Sequence, residues 1–125
     1  MTGLEFRNIA PDVFRQRLLL EGFWTIDLTA ETVKAYLLGL AAHLDLRTYG
    51  DPIVFSPTSG MGKDENAGFD AFVPLIDSGI SCYFWSKRRF FSIVLYTCKG
   101  FDADRAEAFT RSFLKAEGES ARLSF

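Results

Sequence analysis

Histidine is almost absent from these 125 residues: His43 is the only one. Cysteine is nearly as scarce, with Cys82 and Cys98 alone. One imidazole and two thiols make a zinc site an unpromising reading, so no metal is expected. Two cysteines also cannot build the disulfide lattice of a small secreted domain, and two reduced thiols are expected instead. A Ser–His–Asp triad would have to recruit His43, which nothing in the sequence sets near a serine. Charge of one sign is lacking too. Against 16 acidic residues stand 14 Lys and Arg, a net charge of −2, so there is no basic excess to hold nucleic acid or an anionic membrane. No apolar run approaches the ~20 residues that span a bilayer. The opening MTGLEFRNIAPD has no basic start followed by an apolar stretch, so no secretory signal is read and a cytoplasmic location is expected. Repeats, low-complexity tracts and long linkers are absent as well, which leaves a single domain over residues 1–125.

What is present is apolar bulk. Hydrophobic residues make up 48% of the chain and 13 of them are Phe, enough for a substantial core. Val13, Phe14, Leu18 and Leu19 suggest a short helix over Pro11–Glu21, ended by Gly22. Phe23–Leu28 reads as a strand. Thr29 is a good N-cap for a helix on which Val33, Tyr36, Leu37, Leu40, Ala41 and Leu44 recur at helical spacing. Leu46–Phe55 reads as a strand interrupted by Gly50-Asp51-Pro52, and Pro57–Gly68 as a polar loop. Three strand-like runs follow, Phe69–Asp77, Ile80–Trp85 and Phe90–Cys98. The last two are joined by Ser86-Lys87-Arg88-Arg89, a turn of hairpin length. Asp102 then caps a helix burying Ala106, Phe109, Phe113 and Ala116, and Ala121–Phe125 adds a short strand. Strands gathered in the middle with flanking helices predict an α+β fold, an antiparallel sheet covered by helices on one face.

Two local signals fail on chemistry. Ser59-Gly60-Met61-Gly62-Lys63-Asp64 imitates a phosphate-binding loop, but Pro57 stands where the first glycine belongs and Asp64 where a Ser or Thr must follow the lysine. It is read as a surface loop. Lys87, Arg88 and Arg89 are read as a solvated turn, and His43 as a residue whose cationic form suits a helix C-terminus.

The chemistry lies in Leu75-Ile76-Asp77-Ser78-Gly79-Ile80-Ser81-Cys82-Tyr83-Phe84-Trp85 and Phe90-Phe91-Ser92-Ile93-Val94-Leu95-Tyr96-Thr97-Cys98. Together these stretches resemble the core of bacterial and archaeal S-adenosylmethionine decarboxylases. That family has an acidic residue before a serine at a strand junction, a Trp seven residues after the serine, and a Thr-Cys pair with its Cys twenty residues after it. Asp77, Ser78, Trp85, Thr97 and Cys98 occupy those places without a gap, and the likeness extends over about residues 22–116. It implies the family's sandwich-like fold and a pyruvoyl group made from Ser78. The serine hydroxyl attacks the preceding carbonyl, the amide becomes an ester, and elimination leaves a carbonyl that serves as an electron sink when carbon dioxide leaves an amino-acid substrate. The resemblance gives Cys98 the role of proton donor. If Ser78 opens one strand and Cys98 ends its antiparallel partner, the hairpin brings them together. The chain departs from the family where Gly79 and Tyr83 replace histidines, Asp70 a serine, and Lys87 a glutamate. Tyr83 is then a candidate proton relay, though a phenol is a poor neutral-pH base.

Asp70 is a candidate carboxylate for a cationic substrate, since an even offset from Ser78 would set both on one side, and Trp85 is a candidate substrate contact. Alternation puts Ser81, Tyr83 and Trp85 on one sheet face. Each residue also has a plainer use: Ser78-Gly79 as a turn, the cysteines and Trp85 as packing. Two functions are therefore carried forward. One is a self-processing pyruvoyl-dependent decarboxylase of S-adenosylmethionine, ornithine or arginine, acting in polyamine synthesis as a homodimer. The other is an uncleaved, non-catalytic homologue that binds a ligand or an active paralogue.

Overall fold

A computed structural model describes residues 6–56 and 67–125; the phosphate-loop imitation at 59–64 lies outside them. The elements run β1 Gln16–Phe23, α1 Ala30–His43, β2 Ile53–Phe55, β3 Gly68–Leu75, β4 Ser78–Trp85, β5 Phe90–Thr97, α2 Ala103–Leu114 and β6 Ala121–Ser124. Among the described residues all six strands join one sheet in the order β2-β3-β4-β5-β1-β6, and every neighbouring pair is antiparallel. This is the α+β architecture expected. Among the described residues no helix is long and apolar enough to cross a membrane.

Residues 11–21 do not form the expected helix. The run Leu18-Leu19-Leu20 satisfies both helical and strand periods, and pairing decides between them: Gln16–Phe23 lies against β5 on one side and β6 on the other. Gly22 is not a helix end but a strand position beneath Phe91, whose ring lies 2.9 Å from where a Cβ would stand. The strand expected over 23–28 likewise ends at Phe23. There Trp24 N–H donates to Arg89 and Thr25 N–H to Leu114, leading the chain towards α1. The strand expected over 46–55 shrinks to Ile53–Phe55 plus a single bridge between Thr48 and Leu75.

Both helix starts are built as their sequences suggest. Thr29 Oγ1 accepts from Thr32 N–H, and the Asp102 carboxylate accepts from Asp104 and Arg105 N–H. The helices cover the face formed by Leu18, Leu20, Val73, Leu75, Ile80, Cys82, Phe84, Phe91, Ile93 and Leu95, all buried in one cluster with Tyr36, Leu40, Ala106 and Leu114. In α2 the fully buried positions are Ala106, Thr110 and Leu114, while Phe109 and Phe113 pack from the rim. His43 closes α1 with its ring stacked on Phe109 at 5.1 Å.

Among the described residues the opposite face carries no helix. Across it Asp70, Tyr83, Ser92 and Glu21 form one row over four strands, with Ser92 Oγ donating to Glu21 at 2.8 Å. The apolar residues beside this row, Ile53, Phe55, Phe72, Tyr96 and Leu123, stay exposed.

Among the described residues two ionisable groups, Tyr36 and Cys82, are sealed in the core. The Tyr36 hydroxyl is bonded to Thr110 at 2.7 Å, and burial pushes both this phenol and the Cys82 thiol upwards. Folded, they keep their protons beyond the values of 9.0 and 10.0 at which the free thiol and phenol ionise; unfolded, they lose them there. Their contribution to stability is therefore complete below pH 9.0 and declines as the pH rises past these values. Urea midpoints should hold steady up to that point and fall above it, less steeply in Cys82→Ala. A parent profile that stays flat into the alkaline range would contradict their burial as ionisable groups.

Candidate active site

The β3–β4 turn is two residues long, Ile76 and Asp77, with Leu75 paired to Ser78. Its surroundings fix it from both sides. Ile76 N–H donates to Arg47 O at 2.9 Å, and Cys98 N–H donates to the Asp77 carbonyl at 2.8 Å. The second bond continues the β4–β5 ladder one residue past the Ser78–Thr97 pair. Beyond Cys98 the chain is tied down again: Lys99 Nζ donates to Asp45 O, and the Gln16 amide bonds both N–H and C=O of Phe101.

Within this frame Ser78 has φ of +133°, whereas the other non-glycine residues with positive φ, Asp45, Arg89 and Lys115, sit in the left-handed helical region at 47–58°. A side chain in the Ser78 conformation is strained, because the tetrahedral Cα sets Cβ about 120° from the carbonyl carbon in the rotation about N–Cα. A φ close to that offset swings Cβ onto the side of the preceding carbonyl carbon, nearly eclipsing it. In an ordinary strand Cβ is turned well away. Closing the five-membered ring of Oγ, Cβ, Cα, N and the Asp77 carbonyl carbon needs this eclipsed arrangement, and only rotation about Cα–Cβ remains. The Asp77 carbonyl oxygen meanwhile accepts the Cys98 backbone N–H, a donor of the kind that can stabilise negative charge on an oxygen.

Ser78 Oγ lies 3.4 Å from Cys98 Sγ, so the hairpin brings the two together as its pairing requires. Cys98 is exposed and Cys82 buried, and the two thiols are not bonded to each other. The other candidates stand elsewhere. Ser81, Tyr83 and Trp85 share the open face, but Tyr83 is five residues along β4 from Ser78, roughly 16 Å. Asp70 is its direct partner on β3, at the same remove. The even sequence offset between Asp70 and Ser78 misleads, because the two-residue turn reverses the count. In the ladder Asp70 stands an odd number of pairs from Ser78, on the opposite side of the sheet. Trp85 lies at the far end of β4, packed at 5.4 Å on Phe90.

Phe72 was not foreseen. Its ring lies over Gly79, 2.5 Å from where a Cβ would be, so a larger residue at position 79 displaces it. Only the alternation of Asp70, Phe72 and Pro74 on β3 signals that Phe72 shares this face. Among the described residues no group of three or more His, Cys, Asp and Glu is arranged to hold a metal ion.

No family model matches the chain, and no curated relative is similar to it in sequence. In structure it is similar to the adenosylmethionine decarboxylase from Aquifex aeolicus VF5, with a TM-score of 0.70 over 90% of this chain and 89% of that one, at 18% identity. At that identity the likeness is one of fold.

The strain at Ser78 has a direct measure. Glycine adopts this backbone without a Cβ to eclipse, whereas alanine keeps it. Ser78→Gly should be on the order of 1 kcal/mol more stable than Ser78→Ala in urea denaturation, since such conformations cost about 1–3 kcal/mol. Equal stability, or an advantage for alanine, would show that the position is relaxed.

Proposed function

We propose that this protein cleaves its own backbone between Asp77 and Ser78 and acts thereafter as a pyruvoyl-dependent decarboxylase of S-adenosylmethionine or a related cationic amino acid, ornithine or arginine. The observation that carries the proposal is the Ser78 backbone, whose φ of +133° turns Cβ towards the Asp77 carbonyl carbon. Attack by Oγ there breaks the Asp77–Ser78 amide and leaves an ester with a free Ser78 amine. Elimination then removes the Ser78 Cα proton and expels the Asp77 carboxylate. Tautomerisation and hydrolysis of the resulting enamine release ammonia and leave the pyruvoyl carbonyl at the new N-terminus. When present, that group supplies an electron sink for loss of carbon dioxide from a substrate bound through its amine. Cys98 adjoins the same atoms and returns the proton that replaces the carboxylate.

We propose further that two copies pair through the open sheet face. Ile53, Phe55, Phe72, Tyr83, Tyr96 and Leu123 are each 39–64% exposed there, more apolar surface on one face than a monomer usually leaves to water. Asp70 and Tyr83 lie too far from their own Ser78 to act on it, so their part belongs to this interface. In such a pair the Asp70 carboxylate attracts the cationic group of a substrate held in the other copy's site, where opposite charges about 4 Å apart gain a few kcal/mol at intermediate dielectric.

Intact mass of the purified protein checks the first proposal. The expected products are Met1–Asp77 and a Ser78–Phe125 fragment with a blocked N-terminus that borohydride reduces. Carbon dioxide release should follow with one of the three amino acids. A single unbroken chain after long incubation would remove the pyruvoyl reading and leave a non-catalytic homologue that binds a ligand or an active paralogue.

Light scattering checks the second. The expected mass is twice that of the chain, and Phe72→Glu with Tyr96→Glu should return it to a monomer. A parent that is monomeric at every concentration contradicts the pairing.

A further inference from the structure

Self-cleavage needs a base for the Ser78 hydroxyl, and the usual imidazole is not at hand. Position 79 is glycine with Phe72 across it, and position 83 is a tyrosine roughly 16 Å along the strand. The one histidine, His43, ends α1 stacked on Phe109 in the helix layer. Among the described residues, the side-chain atom within hydrogen-bond distance of Ser78 Oγ is Cys98 Sγ, at 3.4 Å. The same residue's N–H is bonded to the Asp77 carbonyl at 2.8 Å, so Cys98 addresses both the nucleophile and the electrophile of the cleavage step.

We propose that Cys98 is the base of self-cleavage, a role that rests on the processing reading above and is separate from any part the thiol plays in turnover. The Cys98 thiolate takes the proton from Ser78 Oγ as the Oγ–C bond to the Asp77 carbonyl carbon forms. The Asp77 oxygen carries the negative charge, held by the Cys98 N–H. As the charge collapses and the C–N bond breaks, the thiol gives its proton to the departing Ser78 nitrogen, and the thiolate is restored. No other reactant is consumed: an amide becomes an ester and an amine. A base without an imidazole accounts for a chain that places Gly79 and Tyr83 at both histidine positions while retaining the Ser78–Cys98 contact.

The rate of chain cleavage, followed by intact mass on freshly purified protein, tests this. Cys98→Ala and Cys98→Ser should each slow cleavage by on the order of 100-fold or more, the scale of a lost general base. Cys82→Ala should cleave as the parent does. Hydroxylamine, which cuts esters, distinguishes the step: the Cys98 variants should remain whole in it because no ester forms. Matching circular dichroism and urea midpoints for Cys98→Ser and the parent would exclude misfolding.

Cleavage of Cys98→Ala at the parent rate would overturn the proposal and leave water as the base. So would a Cys98→Ala chain that hydroxylamine cuts, since Cys98 would then act after the ester. Neither result touches the processing reading itself, which fails only if the parent does not cleave.

Discussion

The hydrogen bond from Cys98 N–H to the Asp77 carbonyl ties the candidate site to the strand pairing of the sheet. It extends the β4–β5 ladder by one residue into the β3–β4 turn, so one ladder fixes both a turn and the residue facing it. The turn cannot relax without giving up this bond or the one between Ile76 and Arg47. Ser78 is held in a conformation that side chains avoid because its neighbours are over-determined, the condition under which such strain persists. The core beneath supplies the stiffness: Thr97, Leu95, Ile80 and Leu75 surround the hairpin on the helix side and are all buried.

Much of this was legible in the chain and some was not, for identifiable reasons. β3, β4 and β5 were readable because each is an uninterrupted apolar run with turn residues at its ends, and the Ser78–Cys98 meeting follows from hairpin pairing alone. Both helix starts were readable from Thr29 and Asp102. The N-terminal region was not, because three consecutive leucines fit either period and the deciding partners, β5 and β6, lie about seventy and a hundred residues further on. The side taken by Asp70 is not legible in its offset from Ser78, because pairs across the ladder and not residues through the turn decide it. Backbone strain at Ser78 has no signature in composition, since serine is not a residue that advertises positive φ.

The open face is the least self-sufficient part of the molecule. One polar row crosses it, with Ser92 and Glu21 bonded to each other and Tyr83 beside Asp70. Apolar rings lie on either side of that row. Phe72 has a double position here, covering Gly79 near the candidate site while remaining 41% exposed to whatever lies above the sheet. A change on this face is thereby felt at the backbone next to Ser78 through a single ring.

The strand order β2-β3-β4-β5-β1-β6 has a consequence for a chain cut at the β3–β4 turn. The first piece would hold β1, β2, β3 and α1, and the second β4, β5, β6 and α2. In the sheet β1 lies between β5 and β6, so a strand of the first piece is gripped on both edges by the second, while β3 pairs with β4 across the break. The two pieces interlock like the fingers of clasped hands, and scission need sacrifice no strand pairing. Assembly has no such symmetry. Before the cut, β1 finds its place by loop closure within one chain; after it, the same pairing is a meeting of two molecules and depends on concentration. Folding first and cutting second is the order in which this topology can be made without loss, and the cut form, once unfolded, has no short way back.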